Sequence, residues 1–140
     1  MSLPVKARTV AERGGSPFKP EVNAVAGRFS AGGGAPFDVR YPATGETLVT
    51  LREASEAECD QALAVARLTF DRGDWRLRRG IERAGVLEKA AELVLSRREE
   101  LARMIVFDNG KTLSEARIDV LATVGNLRTF ARYAAGEATA

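Results

Sequence analysis

At 140 residues the chain is long enough for one domain with a real core or for part of a larger one, and two domains would be crowded. Charged residues at 29% and hydrophobic ones at 45% match neither a disordered nor a membrane-spanning chain, and 21 basic against 19 acidic side chains leave +2, too narrow an excess to argue for nucleic acid. No histidine is present, which removes the commonest general base, zinc ligand and near-neutral pH switch together; the one cysteine, Cys59, excludes an internal disulfide framework and fits a reducing compartment.

Residues 1–23 hold Pro4, Gly14, Gly15, Ser16, Pro17 and Pro20 with little periodicity, which predicts an extended or mobile arm. Its start is basic through Lys6, Arg8 and Arg13 against Glu12, but it lacks the continuous apolar segment of a secretory signal. A cytoplasmic location is therefore expected, with a mitochondrial presequence as the alternative. Ala24 to Ser30 reads as a short strand that Gly32-Gly33-Gly34 breaks. A glycine run cradles phosphate between a strand and a helix; here a second strand follows, which favours a flexible hairpin loop. Phe37, Val39 and Tyr41 alternate with Asp38 and Arg40 as in a strand with one face covered, Pro42-Ala43-Thr44-Gly45 has turn chemistry, and Thr47 to Leu51 is the return strand. The β-ribbon thus covers about 24–52, and helices follow over about 55–138.

Three capping boxes, Ser55 with Glu58, Ser96 with Glu99 and Thr112 with Glu115, divide the helical segment. In the first helix Cys59, Leu63, Ala66 and Phe70 form an apolar stripe ending near Gly73, so Cys59 reads as a packing residue and Trp75 after it as a packing anchor. The second, from about Arg79, places Ile81, Ala84, Leu87, Ala91 and Val94 on its apolar side. Arg76, Arg78, Arg79 and Arg83 could suggest an anion site but read better as a solvated face. Leu101, Met104, Ile105 and Asp108 share one side of the third helix. Gly110 can close that helix in the left-handed conformation before Thr112 opens the next. In the last helix Val120, Leu121, Val124, Leu127, Phe130, Ala131 and Tyr133 cover more than one face. A helix so apolar needs partners on several sides, which predicts the front of a larger domain or burial in another subunit.

From about Val22 onward the sequence resembles the amino-terminal part of the NAD(P)-dependent aldehyde dehydrogenase superfamily. Phe37 to Glu46, F-D-V-R-Y-P-A-T-G-E, is similar to that family's opening strand and N-P-A-T-G-E turn, with Tyr41 where asparagine is usual. Leu101 to Arg117, L-A-R-M-I-V-F-D-N-G-K-T-L-S-E-A-R, resembles its L-x-x-L-x-x-x-D-N-G-K-P-x-x-E-A stretch, with Thr112 in place of proline. Arg83 to Val94 and Phe130 to Ala135 fit in register.

The resemblance implies an α/β parent fold with a Rossmann-like cofactor domain, of which this portion, residues 24–140, is mostly α-helical with a leading β-ribbon. It implies oxidation of an aldehyde to a carboxylate, with hydride passing to NAD or NADP. The family's nucleophilic cysteine, glutamate base and cofactor-phosphate residues have no counterpart here, so no catalytic or cofactor-binding residue is assigned, Cys59 is not the nucleophile, and the chain is not expected to catalyse alone. The one site carried over is a monovalent cation site for K+ or Na+, from the Asp108 carboxylate and the main-chain oxygen of Val39; the alternative is that Asp108 is an ordinary helix-end residue. The implied partners are the remainder of the dehydrogenase or another subunit in a homo- or hetero-oligomer, with no membrane and no nucleic acid. Two other readings are a short non-catalytic partner that docks on a dehydrogenase through its last helix, and an independent small helical domain with no retained role.

Overall fold

The structure of the protein is a computed structural model that describes residues 9–19 and 23–136. Lys6, Arg8 and parts of the predicted arm and final helical residues lie outside the described residues. The chain divides into two compact units, Met1–Thr69 with Phe107–Gly110 and Phe70–Val106 with Lys111–Ala140.

The first unit holds two antiparallel pairs, β1 (Asn23–Val25) with β2 (Arg28–Ser30) and β3 (Pro36–Arg40) with β4 (Thr47–Arg52). The single strand expected over Ala24 to Ser30 is therefore a hairpin. Ala26 at φ 52° and Gly27 at φ 76° are both left-handed, the backbone of a two-residue turn that matches the twist of its strands. In the second pair Val39 faces Val49 but Arg40 faces Thr47, so Leu48 is the extra residue of a β-bulge and is buried. Tyr41, Leu48 and Phe107 form the core of this unit, and Val10, Phe18, Val39 and Val49 pack around them. The described part of the arm is accordingly anchored. It makes a 3-10 turn over Ala11–Arg13, and the Val10 N–H donates to Glu46 Oε2 at 2.9 Å.

Helix α1 (Glu56–Arg72) opens on its predicted box: the Ser55 N–H donates to Glu58 Oε2 at 2.8 Å, and the Glu58 N–H donates to Ser55 Oγ at 3.3 Å. Its apolar stripe is not core. No residue of α1 is buried, Cys59 is exposed, and Leu63 and Phe70 are 70% and 68% exposed. The half-buried positions are Glu58, Ala62 and Val65 on another side.

The second unit contains a 3-10 turn over Trp75–Leu77, α2 (Gly80–Ser96), most of α3 (Arg98–Asn109) and α4 (Leu113–Ala135). Trp75 is 46% exposed with the Arg78 guanidinium over its ring, so it is not the buried anchor expected. Helix α2 packs along α4 through small side chains, Ala84, Ala91 and Ala131, all buried. Ala102, Val106, Ala116 and Val120 make the core of α3 and α4, with Val94, Leu101 and Ile105 against it. The Ser96 box does not form: Ser96 is the last residue of α2, its hydroxyl donates to Leu93 O at 2.9 Å, and Glu99 instead takes Arg117 at 2.7 Å. In α3 the buried residues are Ala102, Val106 and Phe107, while Leu101, Met104 and Ile105 are a half-buried flank and Asp108 is exposed. Helix α4 carries two apolar faces, as expected. Ala116, Val120, Val124 and Ala131 are buried, and Ile118, Leu121, Phe130 and Tyr133 are exposed. Among the described residues no helix is long and apolar enough to cross a membrane.

The alanine packing of α2 on α4 is tightest where a Cβ on Gly80 would lie 2.0 Å from Ala134 O, whereas one on Gly85 would meet nothing within 4 Å. Gly80→Ala should therefore cost about 1–3 kcal/mol through forced separation of the helices. Gly85→Ala, in the same helix, should gain about 0.5–1 kcal/mol from helix propensity. Urea midpoints of the two variants check both signs.

Candidate functional site

The turn after β3 and the end of α3 at Phe107–Gly110 are brought together by packing. Thr44 and Gly45 donate their N–H groups to Tyr41 O at 3.2 and 2.7 Å, and Tyr41 N–H donates to Glu46 O at 2.8 Å, which closes the Pro42–Glu46 turn. The Thr44 hydroxyl donates to Glu46 Oε2 at 2.7 Å, so one carboxylate holds both its own turn and the main chain at Val10. Tyr41, which directly follows β3, is 1% exposed and meets Phe107 with ring centroids 5.4 Å apart, tilted by 53°. Three residues on, Gly110 at φ 76° ends α3 in the left-handed conformation, and a Cβ there would stand 3.2 Å from Pro42 Cβ. Thr112 then opens α4 as predicted, its N–H donating to Glu115 Oε2 at 3.0 Å and its Oγ1 accepting the Glu115 N–H at 3.3 Å.

Both residues expected at a cation site belong to this unit. Val39 is half-buried on β3, beside the bulge, and packs against the cluster that holds Phe107; Asp108 directly follows Phe107 and is exposed. No hydrogen bond or ion pair among the described residues engages the Asp108 carboxylate. No group of three or more His, Cys, Asp or Glu suited to a metal ion occurs among the described residues. One carboxylate with main-chain oxygens is donor chemistry for a hard cation rather than for zinc or copper. Cys59 is exposed, and the chain has no histidine to activate it as a nucleophile.

The sequence reading missed how much Glu58 does. Beyond its box with Ser55, its carboxylate accepts the Gly33 N–H at 2.9 Å, the Ser30 hydroxyl at 3.1 Å and the Ser55 hydroxyl at 2.9 Å. These donors, the Ser55 N–H first and the Gly33 N–H second, lower its pKa to about 2. The glycine loop is thereby pinned to the start of α1, with the Gly34 N–H given to Glu53 O at 2.8 Å. The Gly33 and Gly34 main-chain donors are thus used internally, which fits a loop rather than a phosphate cradle.

Known proteins agree with this architecture. The aldehyde dehydrogenase family matches residues 29–139. The putative aldehyde dehydrogenase DhaS of Bacillus subtilis is 40% identical over 101 residues, covering 71% of this chain and 20% of its own. The 4-trimethylaminobutyraldehyde dehydrogenase B of Danio rerio is 44% identical over 98 residues, covering 70% of this chain and 18% of its own. Among solved structures, an NAD-dependent aldehyde dehydrogenase from Sinorhizobium meliloti superposes with a TM-score of 0.74 at 32% identity, covering 81% of this chain and 23% of that one. The chain belongs to the aldehyde dehydrogenase family, and it spans about a fifth of the length of the curated relatives it matches.

Two outcomes are expected from these contacts. Phe107→Ala should cost about 3–5 kcal/mol, as for other fully buried aromatics, read from the denaturant midpoint. For Glu58, the folded-state pKa lies below the unfolded value of 4.5, so its contribution is present above that value and is lost as pH falls from 4.5 toward about 2. Melting temperature followed through this acid window should fall more steeply for the native chain than for Glu58→Gln.

Proposed function

We infer that the chain serves as the leading part of the cofactor-binding half of an NAD- or NADP-dependent aldehyde dehydrogenase, an enzyme that oxidises an aldehyde to a carboxylate. The observation that carries this reading is the family match, which runs from β2 through α4 without leaving out an element. In that role residues 24–140 supply the leading ribbon and helices, and residues 1–23 precede them as an arm. The nicotinamide cofactor, when bound, accepts hydride from the substrate. This chain's own residues build the frame: Tyr41 and Phe107 lock the ribbon to the end of α3, and Asp108 with the Val39 main-chain oxygen binds K+ or Na+. The remainder of the dehydrogenase, or another subunit of its oligomer, covers Leu63 and Phe70 on α1 and Ile118 and Leu121 on α4, all exposed here. Large apolar side chains left in water forgo about 1.5–3 kcal/mol each relative to burial, which favours such cover. The cytoplasm suits this assembly.

The 140 residues alone are not expected to catalyse, because the family's nucleophilic cysteine and glutamate base have no counterpart among them. A second reading is favoured by the uncovered face of α4: a short non-catalytic chain that docks on a dehydrogenase through that helix. Gel filtration of the chain with a full-length aldehyde dehydrogenase separates the readings, since co-elution is expected of the docking chain and unchanged elution counts against it. Turnover of aldehyde and NAD by the purified 140 residues would refute the inactivity stated above. For the cation, potassium should raise the melting temperature relative to a bulky organic cation, and Asp108→Ala should abolish the difference; equal melting of the native chain in both would sink the site.

A further inference from the structure

Asn109 is the last residue of α3, its side chain is exposed, and its successor Gly110 is left-handed at φ 76°. We propose that Asn109–Gly110 is a self-modification site, at which the asparagine deamidates through a cyclic imide to aspartate and isoaspartate. The main-chain nitrogen of Gly110 gives up its proton to hydroxide and bonds to Asn109 Cγ; the water so formed returns a proton to Nδ2, the Cγ–Nδ2 bond breaks, and ammonia leaves. Water then opens the ring at either carbonyl, at one giving aspartate and at the other isoaspartate. No oxidant or reductant takes part. This inference does not rest on the dehydrogenase reading.

The chain has three asparagines, and the other two serve as comparators. Asn126 is exposed like Asn109, but it lies inside α4, and Leu127 follows it with a branched side chain. Asn23 is half-buried in β1, hydrogen-bonded in register opposite Ser30, and Ala24 follows it. Ring closure needs two things: an unhindered attacking nitrogen and rotation of the asparagine ψ out of its regular value. Gly110 has no Cβ to obstruct the approach. At Asn109, the last helical residue, the rotation falls after the packed Phe107 and interrupts no helical turn beyond it, whereas at Asn126 it would break α4 in its middle. The same exposure that admits hydroxide is thus productive at one asparagine and idle at the other. Isoaspartate adds a backbone methylene at the turn that rests on Pro42, and either product puts a second carboxylate beside Asp108 at a helix C-terminus, where the helix dipole disfavours negative charge.

The test is to age the folded chain at mildly alkaline pH and map its peptides by mass, with isoaspartate resolved from aspartate. The expected result is a mixture of both products at Asn109, intact Asn23 and Asn126, and a melting temperature that declines with ageing in the native chain but not in Asn109→Gln. An unreacted Asn109 in the folded chain would overturn the proposal, including the case in which it reacts only after unfolding in urea. Reaction of Asn126 at the rate of Asn109 would overturn the argument from helix ends.

Discussion

The contact between Tyr41 and Phe107 is the constraint on which the first unit depends. Each ring is almost wholly withdrawn from water, and each comes from a different part of the chain, the residue after β3 and the end of α3. Burial of two large aromatic side chains is worth about 1.5–3 kcal/mol each, and a tilted pair adds about 0.5–1.5 kcal/mol. The surface ion pairs, such as Asp38 with Arg40, are exposed on both sides and worth about 0–1 kcal/mol each. The ring contact therefore decides where the end of α3 lies against the ribbon. The glycine at 110 follows from it: once Phe107 is fixed, the chain must leave α3 against Pro42, where a side chain would crowd.

The second unit is stabilised in a different way. Its buried residues are mostly alanine and valine, and its larger apolar side chains, Ile81, Leu93, Ile118 and Phe130 among them, are largely outside. Small residues at the contact let α2 and α4 approach closely, so dispersion between backbones and methyl groups replaces the burial of long side chains. The cross-helix ion pair of Glu99 with Arg117 adds orientation rather than much energy, being half-exposed on both sides. A unit packed this way retains apolar area for another surface, and that property supports the reading of the chain as part of a larger assembly.

Local signals were legible, and distant ones were not. The boxes at Ser55 and Thr112 formed because every partner lies within one turn. The box at Ser96 failed because Glu99 had a competitor, Arg117, that lies far along the chain. Ala26 hid the first hairpin, since alanine rarely takes a positive φ and gave no turn signal. Periodicity correctly grouped Cys59, Leu63, Ala66 and Phe70 on one side of α1. It says which residues share a face, however, and not whether anything covers that face. Asp108 and Val39 came from resemblance alone, and no pattern in the sequence foretold that Tyr41 would pack tilted against Phe107 or that Glu58 would reach back to Ser30 and Gly33.

That last reach shows how a structural role displaces a chemical one. Three glycines in a row offer main-chain N–H groups that a phosphate could take, but a carboxylate already present in the chain is a permanent competitor for them. Glu58 takes the Gly33 donor while it also caps α1, and its depressed pKa keeps it charged below pH 4.5, toward about 2. An anion arriving from solution would have to displace a ligand that is covalently tethered and held by three further donors. The Gly33 donor is therefore already filled by the chain's own carboxylate, and the loop that the sequence suggested there is held by a clasp that ties the first hairpin to the first helix.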